Sequence, residues 1–275
     1  MTPTTESTIA PAGLPLELLF ERTGVAHFEL PPALLESYGG GLGLPQQCVF
    51  ANFVTSLDGI VALPGATESG QIISGRNAAD RFVMGLLRAC ADAVLLGAGT
   101  FRKSAGHLWQ ADRIYPGAAA EFAQLRGALG LKPTPVLVLV TGSGNIDMNQ
   151  PAAQQAWIIT TPKGEAALRG RVPPGARVTV LASERIRCAE VLTLLRAEGV
   201  QRVLTEGGPS LFTELVRDRL VDELFLTSSP ALFGRFPGDE RKSLAEGLDL
   251  SGAKLELASA RRHGSHLFLR YALQR

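Results

Sequence analysis

The sequence predicts an α/β fold: a mostly parallel central sheet, helices on both faces, and an antiparallel hairpin at the C-terminal end. Three observations predict it. From residue 48 onward, short aliphatic and β-branched runs alternate with helical patterns, and strands separated by helices pair in parallel. Runs such as residues 93–97 and 135–142 are apolar almost throughout, as strands covered on both faces must be. The chain ends in two strand-like stretches, "KLELASARR" and "HLFLRYAL", either side of residues 263–265.

The elements follow in order. "VFANFVT" (49–55) reads as a strand. Residues 75–91 read as a helix, because Ala79, Phe82, Val83, Leu86 and Cys90 recur at helical spacing, with Ser74 as the expected N-cap. Residues 93–97 and 135–142 are buried strands, and 157–160 and 177–181 are shorter ones. A helix over 189–199 stops at Gly199. Residues 202–206 form a strand, 209–218 a helix and 222–229 a strand. Ahead of these, residues 1–12 are small and polar and are expected to be disordered. Residues 13–38 have room for one or two short helices, for example around 31–37, and "YGGGLGLP" (38–45) reads as a flexible joint. The organisation is therefore an N-terminal extension, 1–47, without an assigned role, and one compact domain, 48–275.

Composition narrows the function. With 45% hydrophobic residues in 275, the chain can bury a large core. Lys and Arg number 27 against 26 Asp and Glu, so the broad basic face of a nucleic-acid binder is not expected. An anionic ligand would need a local site. Three cysteines, an odd number with no C-x-x-C pair, point to a reducing, cytoplasmic setting. The four histidines lack metal-ligand spacing, so no metal is expected. The N-terminus has no signal-peptide pattern, and the longest purely aliphatic run, 136–140, is too short to span a membrane.

In open α/β sheets ligands bind beyond the carboxyl ends of strands, and four strand ends here are unusual. In "TEGGPS", Gly207 and Gly208 allow close backbone approach, Pro209 suits the first helical position, and the stretch is either a tight turn or an anion site formed by the amides of Ser210, Leu211 and the rest of that turn, through Thr213. "LLGAGTFR" repeats the logic with Gly97, Gly99, the Thr100 hydroxyl and Arg102. "VTGSGN", with Thr141, begins like G-x-G-x-x-G but has Asp147 at the third glycine position, so a Rossmann fingerprint is not supported. "TSLDG" places Ser56 and Asp58 at a strand-to-turn junction, where Asp58 is either a turn residue or a carboxylate that orients substrate. Glu206 carries the same two readings. Arg88, off the apolar stripe of its helix, is either a solvated charge or a phosphate clamp.

Taken together, "FVTSLDGIVA", "LLRACADAVLLGAGTFR" and "VLTEGGPSLFTELVRDRLVDELFLTSSPALFG" resemble the reductase domain of bacterial riboflavin biosynthesis, a relative of dihydrofolate reductase. The likeness covers about residues 48–273. It implies a three-layer α/β fold of the dihydrofolate-reductase type, and NADPH as cofactor for hydride transfer to the ribose C1′ of a 5-amino-6-(5-phosphoribosylamino)uracil-like substrate. It also implies a homodimer, for which the 222–229 strand and the C-terminal hairpin would supply a surface. Carried over by position, the cofactor meets Val54, Thr100 and the turn from Gly207 through Leu211. Substrate meets Glu206, Arg88 and the Asn52–Ser56 stretch, with Asp58 as candidate catalytic group for the ribose hydroxyls or for proton traffic.

Some positions depart from the family. Ser104 stands where the family carries an acid in its Asp-Asp/Asn-Pro segment, Arg113 is the one candidate for the Arg that follows, and Asn52 replaces a frequent basic residue. A zinc-deaminase signature, H-x-E with P-C-x-x-C, does not occur. Two other readings stay open: a reductase of another pterin or pyrimidine, and a non-catalytic NADPH-binding module. Arg102 and Lys103 are candidates for a 2′-phosphate.

Overall fold

In the computed structural model, residues 15–236 and 238–274 are described. The disorder expected for residues 1–12 lies outside them. In chain order the elements are β1 (Glu17–Glu21), α1 (Pro32–Tyr38), β2 (Cys48–Thr55), β3 (Ile60–Ala62), α2 (Ser69–Ile73), α3 (Ala78–Ala89), β4 (Ala93–Gly97) and α4 (Ala98–Lys103). Then come α5 (Ala111–Ile114), α6 (Ala119–Ala128), β5 (Val136–Thr141), β6 (Trp157–Thr160), α7 (Pro162–Leu168), β7 (Arg177–Val180) and α8 (Cys188–Ala197). The last are β8 (Arg202–Thr205), α9 (Pro209–Arg217), β9 (Glu223–Ser228), β10 (Lys242–Ser243), β11 (Leu255–His263) and β12 (His266–Leu273).

The main sheet runs β1-β11-β12-β9-β2-β8-β4-β5-β6-β7. Pairing is parallel from β9 through β7 and antiparallel from β1 through β9. The central strands alternate between two cores, as a period of two requires. Phe50, Val94 and Leu96 face the core under α1, α3 and α6, while Val49, Ala51, Ala93 and Leu95 face the one under α8 and α9. This is the three-layer arrangement that the sequence predicts. No helix among the described residues is long and apolar enough to cross a membrane.

Several expectations are corrected. Residues 15–38, the described part of the 13–38 stretch, hold one helix, α1, and an edge strand, β1, paired antiparallel with β11. The glycine-rich 38–45 stretch is pinned to the sheet. Arg261 donates to the Gly41 carbonyl and to Glu21, its guanidinium lying 4.0 Å from the centre of the Tyr38 ring. Arg270 donates to the Gly43 carbonyl at 2.7 Å and grips Glu223 through two hydrogen bonds, and Leu42 and Leu44 are buried. Ser74 ends α2; the N-cap of α3 is Asn77, whose Oδ1 accepts from the amides of Ala79 and Asp80. Both β9 and β12 are interior strands of the sheet.

The C-terminal end of α3 is closed from outside the helix. Arg126, on α6, donates through Nη1 to the carbonyls of Arg88, Ala89 and Ala91, and through Nε to that of Lys132. Burial pulls this guanidinium down to about 10. A cation at a helix C-terminus also meets the negative end of the dipole. Replacing Arg126→Met leaves buried carbonyls without donors, which costs about 3 kcal/mol. Urea unfolding at neutral pH measures it, and a loss under about 1 kcal/mol would show that those carbonyls are not dependent on Arg126.

Candidate active site

A cleft of about 500 Å³ opens across the carboxyl ends of β2, β4 and β8, where ligands of such sheets bind. One side is backbone. At Gly97 and Gly208 the strands β4 and β8 lead directly into α4 and α9, and no side chain caps either helix. The first-turn amides of Ser210 and Leu211 thus have no side-chain cap, behind Pro209, which has no N–H of its own. The two turns nearly touch: a Cβ on Gly208 would come 2.9 Å from the Thr100 hydroxyl. At Gly97 and Gly99, by contrast, nothing lies within 4 Å of an added Cβ, and neither needs a positive φ. The protein does not require glycine there, and the space that it leaves belongs to the cleft.

The other side is built from side chains. Asp80, Met84 and Arg88 line the cleft from α3; at spacings of four they share a face, beside the apolar stripe of Ala79, Phe82, Val83 and Leu86. Arg88 and Glu206 form a buried bidentate pair, Nε to Oε1 at 3.0 Å and Nη2 to Oε2 at 2.6 Å. Arg88 also donates to the Gln110 carbonyl and, through Nη2, to His107 Nε2 at 3.2 Å. Because arginine has only donors, His107 Nε2 accepts, and the imidazole is neutral with its proton on Nδ1. Burial and the Arg88 charge both hold the His107 pKa down. Asn52, 9% exposed, lines the cleft from β2, and its amide has no protein partner among the described residues.

Asp80 is buried yet faces the cleft. Burial pushes its carboxyl up to about 6, against the hydrogen bonds from the Thr227 and Ser74 hydroxyls, and the Glu206 charge pushes the same way as burial. Its helix start is held in turn by Asn77, whose amide nitrogen lies 3.0 Å from His266 Nδ1. His266 Nε2 lies 3.0 Å from the Ser74 carbonyl. Among the described residues, four non-glycine positions have φ between 50° and 57°, and two of them, Arg76 and Trp109, line the cleft. Backbone held in this way concentrates at ligand sites.

Most of the expected residues meet here: Asn52, Val54, Arg88, Gly97, Gly99, Thr100, Glu206, Gly207, Gly208, Pro209, Ser210 and Leu211 all line the cleft. Four do not. Asp58 takes the Ser56 hydroxyl at 2.5 Å and the amides of Phe233 and Gly234, contacts that lower its pKa with Ser56 the largest. It ties the β2–β3 turn to the loop after β9. Ser56 is buried in the same turn, accepting from the Ile60 amide. Thr141 accepts from the Gly144 amide, in a strand end sealed by α7 through Thr160 and Thr161. Thr213 is fully buried, donating to the Pro209 carbonyl and accepting from the Glu246 amide. In each case the polar group bonds the protein's own backbone or side chains outside the cleft lining. Arg88 and Glu206, expected as separate substrate contacts, bind each other.

The comparisons with known proteins agree with this geometry. The profile of the RibD C-terminal domain matches residues 47–269. The chain belongs to the RibD C-terminal domain family. It is accordingly an oxidoreductase of the riboflavin-biosynthesis type. A protein of Archaeoglobus fulgidus named 2,5-diamino-6-ribosylamino-4(3H)-pyrimidinone 5′-phosphate reductase is 27% identical over 190 residues, 68% of this chain and 81% of that protein. A protein of the same name from Aquifex aeolicus is 25% identical over 182 residues, 65% and 75% of the two chains. Among solved structures, a pyrimidine reductase-like protein of Corynebacterium diphtheriae superposes with a TM-score of 0.68 at 22% identity, covering 90% of this chain and 96% of that one. At that identity the likeness speaks for the fold, and the RibD reductase fold is what it shows.

Sequence reasoning missed Asp80, His107, Arg76 and Arg81, all in the cleft lining. The signal for Asp80 was its spacing of eight from Arg88. His107 had no local signal, because only the return of residues 104–110 over the cleft brings it to Arg88.

If Arg88 and Glu206 form one buried pair, Glu206→Ala leaves a buried guanidinium uncompensated and costs about 3–5 kcal/mol. The double variant Arg88→Met, Glu206→Leu recovers most of that loss. Chemical denaturation of the three proteins measures both. Additive losses in the double variant would mean that the two residues act independently.

Proposed function

We propose that the chain is an NADPH-dependent reductase that delivers hydride to the ribose C1′ of a phosphoribosylaminopyrimidine, the class of compound named in its Archaeoglobus and Aquifex relatives. The observation that carries this reading is the pairing, in one cleft, of two uncapped helix starts with a polar pocket at Asn52, Arg88 and Glu206. The dinucleotide's pyrophosphate fits the amides after Gly208 and the Thr100 hydroxyl, where backbone dipoles favour an anion. The site has open room for it at Gly97 and Gly99. Bound there, NADPH would supply the hydride. Arg102, tied through Nη1 to the Asn145 carbonyl at 2.8 Å, and Lys103 stand at the end of α4 for a 2′-phosphate.

The chain's own residues would do the positioning. Asn52 offers a donor and an acceptor to a pyrimidine edge. With Arg88 occupied by Glu206, His107 and Gln110, the substrate phosphate falls to Arg76 and Arg81 at the start of α3. Holding C1′ against the reducing ring turns a bimolecular step into a local one. A non-catalytic module that only binds NADPH gains no support from the altered 103–116 segment, since that segment still delivers His107 and Trp109 to the cleft.

Gly99→Val separates ligand room from folding. We expect NADPH affinity to fall by about a hundredfold or more, since the branched side chain fills the cleft floor. The melting temperature of the ligand-free protein should move by no more than about 3 °C. Titration of NADPH fluorescence and a thermal melt decide it; unchanged affinity would remove the dinucleotide from this turn. Arg81→Ala should raise KM for the phosphorylated substrate by about tenfold, leaving KM for NADPH unchanged. An unchanged substrate KM would move the phosphate elsewhere.

A further inference from the structure

One buried ionisable group in the cleft has no part in the scheme above. Asp80 stands on the first turn of α3 with its carboxyl between the Ser74 and Thr227 hydroxyls. Thr227 is the register partner of Val54 in the β2–β9 pairing, so the carboxyl lies over the C-terminal ends of those two strands, at the wall that Asn52 and Val54 form. We propose that Asp80 is the general acid of the reduction, giving its proton to the ribose ring oxygen as the sugar opens; this rests on the reductase reading above.

The reaction needs one such proton. The ring C1′–O4′ bond breaks, and its electron pair stays on O4′, which takes the proton. The nitrogen lone pair forms the C1′=N iminium. Hydride from C4 of the reduced nicotinamide then adds to C1′, the iminium π pair returns to nitrogen, and the cofactor leaves oxidised. Substrate, NADPH and one proton become the ribitylamino product and NADP⁺, and Asp80 regains its proton from water.

Apart from the ammonium groups of Lys103 and Lys242, a kind of group that is a weak acid at neutral pH, the other candidates in the cleft have no proton to spare. Both oxygens of Glu206 accept from Arg88. His107 is the neutral tautomer, a poor acid, because its Nε2 accepts from Arg88. Asp58 is engaged by Ser56 and two amides outside the cleft. Glu68 sits at the exposed rim, and Ser104, which replaces an acid of the family, carries a hydroxyl that donates to the Thr100 carbonyl. Of the charged groups, Glu206 and Arg81 act on Asp80 directly; Glu68, Arg76, Arg88, Arg102, Lys103, His107 and Lys242 line the same cleft, and His266 bonds Asn77 at the helix start. A carboxyl held near 6 by burial retains a proton to give close to neutral pH, which a general acid requires.

The test is kcat and KM from pH 5 to 9 with NADPH and the pyrimidine phosphate, for wild type, Asp80→Asn and Asp80→Glu. Wild-type kcat should fall on the basic side, as the acid form is lost. Asp80→Asn should lose about a hundredfold or more in kcat, with both KM values within about threefold of wild type and without that basic fall. Asp80→Glu should restore part of the rate and the limb. Folding is checked independently. A carboxyl whose folded pKa is raised from 3.8 to about 6 opposes folding while ionised, and the opposition fades as pH falls through that window. Asp80→Asn should therefore melt above wild type at pH 8, with the gap closing toward pH 4. An Asn variant that keeps kcat within about threefold and keeps the basic limb overturns the proposal alone, as does a change confined to KM. A wild type that does not reduce the pyrimidine overturns the substrate reading, and this one with it.

Discussion

The buried pair of Arg88 and Glu206 is the constraint on which the cleft depends. It joins two elements far apart in sequence, the last turn of α3 and the joint between β8 and α9. Neither charge is tolerable alone in that setting, so each fixes the other. Arg88 is held at its backbone as well, because Arg126 draws on the carbonyls of Arg88 and Ala89. Glu206 stands immediately before Gly207 and Gly208. Anchoring its carboxylate therefore fixes the direction in which α9 starts and where its first amides aim. The same guanidinium reaches the Gln110 carbonyl and His107, so the 104–110 segment is set by the pair too.

From that joint the cleft divides into two kinds of recognition. The side at β4 and β8 presents backbone: open glycines, a threonine hydroxyl and uncapped helix starts, groups that in the proposed reading hold negative charge with little dependence on net charge. A chain carrying 27 basic and 26 acidic side chains has no long-range field to attract an anion, so a local nest of amides is the economical solution. The side at α3 works with side chains of both signs set close together. Arg81, Asp80, Arg88 and Glu206 alternate in charge, which suits a ligand that carries a phosphate at one end and a polar ring at the other.

The sequence disclosed what local periodicity writes and little of what distant side chains decide. Apolar runs marked β2, β4, β5 and β8, and helical spacing marked α3, α8 and α9, because those patterns come from the same few residues that form each element. The glycine turn at Gly207 to Leu211, which lines the cleft, was legible for the same reason. The stretch at 38–45 read as a joint because its glycines are local, whereas Arg261 and Arg270, which fasten it, lie more than two hundred residues on. Ser56, Asp58, Thr141 and Thr213 lie outside the cleft lining, and sequence could not show it, because a polar residue has the same local signature whether it faces a ligand or bonds the protein's own backbone. Asp80 was passed over because one acid on an amphipathic helix resembles an N-terminal turn charge; only the fold shows β9 closing over it.

The altered segment after α4 takes its meaning from this arrangement. Where the family places an acid, this chain has Ser104, with a hydroxyl that donates to the Thr100 carbonyl and so serves the C-terminal end of α4. The following residues fold back so that His107 packs 5.0 Å from Trp109, ring centre to ring centre, and Trp109 stacks on Phe101 at 5.5 Å. Trp109 sits at φ 50, a conformation that a bulky side chain holds only where the surroundings impose it. That strain is met by burying the indole and by putting the imidazole on Arg88. The segment thus leaves a neutral donor, His107 Nδ1–H, beside the Arg88 and Glu206 pair. The loop does not act on the Asp80 carboxyl: burial raises its pKa most, to about 6, with the Glu206 charge in the same direction, while the Thr227 and Ser74 hydroxyls and the Arg81 charge work against both.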